Sequence, residues 1–197
     1  MGREFELKFQ SDPAQQRRLL ESYPHFSTIT METTYYDTPD GALSQRHITL
    51  RRRMENGTAV CTLKTPEKSG GRGEWEVEME EIETAIPELC KLSGWAGLMD
   101  LTKAGVMPVC GARFTRRAKL LELEGCTVEI AVDSGVLLGG GREIPLCEIE
   151  VEHKNGSEEA TVRFASALAA ELGLRQEKKS KFRRALALAK GEEDGAV

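Results

Sequence analysis

Arg3-Glu4-Phe5-Glu6-Leu7-Lys8-Phe9, at the start of a 197-residue chain, places two carboxylates and an ammonium at every second position, with Phe5, Leu7 and Phe9 between them. Residues two apart on a helix point to nearly opposite sides, which would scatter these charges around the axis. On a strand, residues i, i+2 and i+4 share a face. The segment therefore reads as a strand with one charged and one apolar face. Taken alone, it is also compatible with an ordinary half-buried strand whose polar face meets water.

The same alternation recurs along the chain. Thr49, Arg51 and Arg53 oppose Ile48, Leu50 and Met54, and Thr62 and Lys64 oppose Cys61 and Leu63. Glu74, Glu76, Glu78 and Glu80 stand against Trp75, Val77 and Met79. Glu129 and Asp133 face away from Val128, Ile130 and Val132, and Glu148, Glu150 and Glu152 from Cys147, Ile149 and Val151. Most of these faces carry a single sign. Like charges about 6.5 Å apart along a strand repel one another, so something must neutralise them. Acidic and basic strands could balance each other. Clustered carboxylates with clustered Arg and Lys also suit a divalent metal bound to a polyphosphate, since hard cations choose carboxylate oxygens and phosphate oxygens choose Arg and Lys. The recurrence over five or six strands favours this second reading.

Composition narrows the class. Formal net charge is -5, with 30% charged and 40% hydrophobic residues, which fits a soluble globular chain with a real core. No apolar run is long enough to span a bilayer, and Met1 leads directly into a strand; a cytoplasmic location without membrane attachment is expected. The mild acidity argues against general binding to nucleic acid. Cys61, Cys90, Cys110, Cys126 and Cys147 are odd in number and form no CxxC pair, which suggests reduced core thiols. His25, His47 and His153 show no metal-ligand spacing.

Helical patterns begin at Ser11-Asp12-Pro13, run near residues 86–98 and over 157–173, where Gly173 can close the helix, and end in a basic segment near 179–191. Turns fall at Thr38–Gly41, Glu55–Gly57 and Gly139–Gly141. The organisation is α+β and largely antiparallel, with one domain over 1–190 and an acidic tail over 191–197. If the apolar face points outward under the helices, the charged face lines a cavity; periodicity does not separate a closed tunnel from a cupped sheet.

Taken in order, these segments resemble the CYTH domain, or triphosphate tunnel metalloenzyme, family. Glu4-Phe5-Glu6-Leu7-Lys8 matches its ExExK signature. The stretch from Tyr35 to Leu43, Leu50-Arg51-Arg52-Arg53, Thr62-Leu63-Lys64, Arg72 to Glu78, Glu148 to Glu152 and Lys179 to Leu186 resemble its later segments. The resemblance implies an eight-stranded antiparallel β-barrel, the triphosphate tunnel, with helices packed on the outside. Carried over by position, Glu4, Glu6, Glu148 and Glu150 bind metal, supported by Glu152 and by Glu76 or its neighbours Glu74 and Glu78. Asp133 falls where the family has an acidic residue near the tunnel mouth. Lys8, Arg51, Arg53, Lys64, Arg116 and Lys181 grip phosphate oxygens with Arg184, Arg116 being preferred to Arg117 on strand parity.

The chemistry so implied is Mg²⁺- or Mn²⁺-dependent removal of the terminal phosphate from a triphosphate, with no covalent nucleophile. Inorganic tripolyphosphate is the expected substrate, and nucleoside or thiamine triphosphate are secondary ones. A class IV-type adenylyl cyclase and a non-catalytic polyphosphate or nucleotide sensor are the alternatives. Either a monomer or a homodimer fits the sequence.

Overall fold

A computed structural model describes residues 2–66 and 72–192, with side chains from Phe5 onward. The charged alternation becomes strands: β1 (Gly2–Glu4), β2 (Glu6–Gln10), β3 (Ser27–Asp37), β4 (Thr49–Glu55), β5 (Thr58–Pro66), β6 (Arg72–Glu78), β7 (Met107–Leu123), β8 (Cys126–Gly139), β9 (Arg142–Gly156) and the short β10 (Arg175–Gln176). They form one antiparallel sheet in the order β1-β6-β5-β4-β3-β7-β8-β9-β2-β10.

Neighbours near the two ends of that order, β1 and β2, are halves of a single N-terminal segment interrupted only at Phe5. β1 pairs with β6 and β2 with β9, so the chain itself joins the two sides of the sheet into a barrel-like wall without a continuous ladder. His153 N donates to Phe5 O at the join, at 2.9 Å. Counting β1 and β2 once and setting β10 aside, the ten-stranded order reduces to the expected eight.

Local chemistry sets the boundaries. Asp12 caps α1 (Pro13–Ser22) by accepting from Ala14 N and Gln15 N, while the Gln15 side chain accepts from Asp12 N. The Asp37 carboxylate accepts from the backbone of Thr38, Leu43 and Ser44, which ties the end of β3 to α2 (Ala42–Gln45). The helical pattern near 86–98 divides into α3 (Ile82–Ser93) and α4 (Gly97–Leu101), because Gly94 ends α3 in the left-handed region. Gly173 closes α5 (Glu158–Leu172) in the same way, and α6 (Lys181–Lys190) follows.

Apolar strand faces point outward. Val128, Ile130, Val132, Ile149 and Val151 pack against Leu19 of α1 and Ala165, Leu168 and Leu172 of α5. Leu50, Cys61 and Leu63 pack against Ile82, Ala85 and Leu89 of α3. One helix departs from the expected outer coat. The inward face of β7 and β8 turns from charged to apolar beyond Phe114, so Ala112, Leu137 and Leu146 receive Ala185 of α6 on the bore side. This places the N-terminus of α6 among the charged strands.

Ile149 is fully buried on the outward face between two inward carboxylates. Ile149→Ala should therefore cost about 2–5 kcal/mol. Val162→Ala, at a side of α5 where Val162 is 38% exposed, should change stability by less than about 0.5 kcal/mol. Urea denaturation of both variants measures the contrast.

Candidate active site

Inward faces of the strands enclose a cavity of about 330 Å³. Strand parity and register bring distant residues to one level. Arg116 lies opposite Asp133, Asp133 opposite Glu148, and Lys8 opposite Glu150. Among the described residues, Asp133, Glu148 and Glu150 form a buried group in which one carboxylate oxygen of each lies within 4.8 Å of those of the other two. An oxygen-only donor set of this kind fits a hard divalent cation.

Three cations hold these carboxylates together. Arg116 donates to both oxygens of Asp133 at 2.8 and 2.7 Å and to Glu150 at 2.5 Å. Lys181 Nζ, from the first turn of α6, lies 2.9 Å from Asp133, 2.5 Å from Glu148 and 2.7 Å from Glu150. Arg184 pairs with Glu148. The face of Phe114 lies beneath Arg116 and Lys181, at 5.9 and 5.6 Å from its centroid.

The two carboxylates of β9 are driven in opposite directions. Burial favours protonation of Glu150, but Lys181 and Arg116 outweigh it and hold its pKa well below the usual carboxylate range. Burial pushes Glu148 up, the charge of Glu150 adds to that, and Lys181 only partly offsets them. For Arg116 and Lys181 burial disfavours charge, yet the adjacent carboxylates raise both pKa values well above their ordinary ones.

A second charged group lines the bore on β4, β5 and β6. Lys64 lies 3.1 Å from Glu74, and Arg51 lies 3.5 Å from Glu74 and 3.6 Å from Glu76. Arg53 pairs with Glu55. Burial, and then the charge of Arg51, lower the pKa of Arg53. Thr62 Oγ1 donates to Glu76 at 2.9 Å. Sequence reading did not single out Arg72, which lines the same cavity and donates to Thr49 Oγ1 at 2.9 Å. Its parity with Glu74 was the available signal. Lys154, two residues beyond Glu152, also lines the cavity and lies 2.8 Å from Glu152.

The expected metal residues thus divide. Glu148, Glu150 and Asp133 come together. Asp133 is fully buried rather than at a mouth, because its opposite neighbours on both sides are site residues. Glu6 instead pairs with Lys8 at 2.9 Å, Glu76 with the arginines and Glu152 with Lys154; none joins the group of three. The Glu4 side chain lies outside the described residues. All the expected phosphate-gripping residues except Arg184 line the cavity, and Arg184 is buried behind it on Glu148. Arg117 is exposed, as strand parity requires. Burial pushes the thiols of Cys61 and Cys110 up to about 11 and about 12, which makes them poor nucleophiles at neutral pH.

The CYTH domain family model matches residues 2–186, and the chain belongs to that family. An inorganic triphosphatase from Haemophilus influenzae is 30% identical over 175 residues, which are 85% of this chain and 50% of that protein. A thiamine-triphosphatase from Macaca fascicularis is 31% identical over 154 residues, 75% of this chain and 61% of its own length. The chain therefore spans only about half to three fifths of these relatives. The solved structure of HpAC1 from Hippeastrum, described as having a dominant triphosphatase activity, matches with a TM-score of 0.64 at 20% identity, covering 96% of this chain and 97% of that one. At that identity the likeness concerns the fold.

Because the native pKa of Glu150 is depressed, its stabilising contribution is present above its unfolded value of about 4.3 and is lost as pH falls through the lower native value. The stability difference between wild type and Glu150→Gln should accordingly shrink below about pH 4.3. Chemical denaturation across an acid series measures it; a difference independent of pH would contradict the assigned ion pairs.

Proposed function

We propose that this chain is a divalent-metal-dependent triphosphatase that removes the terminal phosphate of a triphosphate, with inorganic tripolyphosphate as its first substrate. One observation carries the reading: a row of Arg and Lys side chains lines the bore together with Glu150, which belongs to the buried carboxylate cluster whose other two members, Asp133 and Glu148, lie just behind the lining. The curated relatives named inorganic triphosphatase and thiamine-triphosphatase support it. Among the described residues no helix is long and apolar enough to cross a membrane. Together with five free cysteines, that supports a cytoplasmic enzyme acting on a small anion. In this reading 1–190 form the catalytic domain, as monomer or homodimer, and 191–197 a tail.

Asp133, Glu148 and Glu150 would hold Mg²⁺ or Mn²⁺, with Glu6, Glu152 and Glu4 as the family resemblance implies. The bound metal would neutralise phosphate charge and polarise a phosphate oxygen or a water. Arg116 and Lys181 are poised to do two things from one position. They hold the carboxylates, and because both line the bore their positive charge would also meet the phosphates. Lys8, Arg51, Arg53 and Lys64 extend the same positive field along a linear polyanion. Their role is to orient the triphosphate and stabilise charge on the transferring phosphoryl group.

The test is phosphate release from tripolyphosphate, ATP and thiamine triphosphate, with Mg²⁺ or Mn²⁺ and with chelator. Metal-dependent orthophosphate from tripolyphosphate is expected. Glu150→Gln should lower turnover by about 10²-fold or more. Pyrophosphate and cyclic AMP from ATP would indicate a cyclase instead, and metal-dependent binding without turnover would indicate a sensor.

Removing one counter-charge should destabilise the site. Lys181→Met leaves three buried carboxylates to Arg116 and Arg184, and should cost about 3–5 kcal/mol when measured by denaturation in chelator. Mg²⁺ should recover more stability in this variant than in wild type.

A further inference from the structure

Lys181 and Arg184 reach the carboxylate cluster only because α6 lies inside the wall, and one feature of the wall determines how closely it can lie. The two-residue turn Gly140–Gly141 joins β8 to β9, with both residues at positive φ. Just before it, Gly139 meets the backbone of α6 directly. A Cβ at Gly139 would lie 2.4 Å from Ala185 O and 2.6 Å from Ala189 N, where ordinary contact begins near 3.4 Å. A Cβ at Gly140 would come within 3.0 Å of Ala189 O. Arg142, paired with Gly139 across the hairpin, donates to Leu188 O. The hairpin thus holds the second half of α6, and the first half delivers Lys181 and Arg184.

We propose that Gly139, with Arg142, is a positioning element for the active site. The absence of a side chain at Gly139 seats α6 deeply enough for Lys181 to touch Asp133, Glu148 and Glu150. Alanine at Gly139 would displace the helix by about 1 Å, since its backbone must retreat to ordinary contact. Lys181 contacts of 2.5–2.9 Å do not survive such a shift intact. The consequence for activity rests on the triphosphatase reading; the placement of Lys181 does not.

Gly139→Ala, Arg142→Met and Lys181→Met are compared with Gly156→Ala. That last substitution makes a similar close approach, 2.5 Å to Gly125 O, at the opposite end of β9. Lysine acetylation followed by mass spectrometry reads the protection of Lys181 without substrate, at temperatures where each variant remains folded. Calorimetry reads tripolyphosphate affinity, and phosphate release reads turnover.

In Gly139→Ala, Lys181 should become labelled and tripolyphosphate affinity should fall by about tenfold or more, with turnover reduced. Gly139→Ala should add nothing further in the Lys181→Met background, whereas Gly156→Ala should leave Lys181 protected. A folded Gly139→Ala protein with protected Lys181 and wild-type affinity would overturn the proposal, as would full additivity with Lys181→Met. If Gly139→Ala does not fold, Arg142→Met decides: increased labelling of Lys181 supports the proposal, and wild-type protection overturns it. Wild-type protein that neither binds nor hydrolyses tripolyphosphate would refute the triphosphatase reading while leaving the labelling result to test the placement.

Discussion

Burying Asp133, Glu148 and Glu150 within 4.8 Å of one another is untenable without compensating charge, and the surrounding architecture supplies it. Three like charges in a poorly solvated space repel strongly, and removing them from water is costly unless opposite charges offset it. Arg116 from β7 and Lys181 and Arg184 from α6 provide the compensation. Strand register, the inward seat of α6 and the shape of the bore all serve to bring these six side chains together.

The same constraint explains the outward orientation of the core. A sheet that turns its charged face inward must cover its apolar face from outside, and α1, α3 and α5 do so. Gln16 of α1 shows how closely that outer layer is connected to the site. Its buried amide donates to Asp133 O at 2.9 Å and accepts from Ser134 Oγ at 2.6 Å. A polar side chain in the outer core is thereby satisfied by the backbone of a strand whose inward side chain belongs to the cluster.

The interior also has two electrostatic characters. Around β8, β9 and α6, carboxylates are gathered tightly by cations. Around β4, β5 and β6, Arg51, Arg53 and Lys64 face Glu74 and Glu76 in looser pairs, at 3.1 to 3.9 Å. Looser pairs in a partly open bore are the ones a polyanion can most readily replace. An asymmetric bore of this kind presents different fields at different points along its length.

Much of this was legible in the sequence because side-chain direction on a strand has a period of two. Alternation alone placed Lys8, Arg51, Arg53, Lys64, Glu148 and Glu150 on charged faces, and the same parity separated Arg116 from Arg117. The helix start at Ser11-Asp12-Pro13 and the αL glycine Gly173 were local and therefore equally readable, whereas the stop at Gly94 was missed and divides one expected helix into two. What parity does not contain is the pairing of strands. It could not say that Asp133 would stand between Arg116 and Glu148, that Glu76 would face arginines rather than the other carboxylates, or that Glu6 would pair with Lys8. Nor could it seat α6 inside the wall. That depended on an apolar inward patch on β7, β8 and β9 meeting a helix distant in the chain, and on a hairpin glycine leaving room for its backbone. Directions of side chains are local properties of the strand; which charges become neighbours is decided only when the sheet curls and its ends are joined.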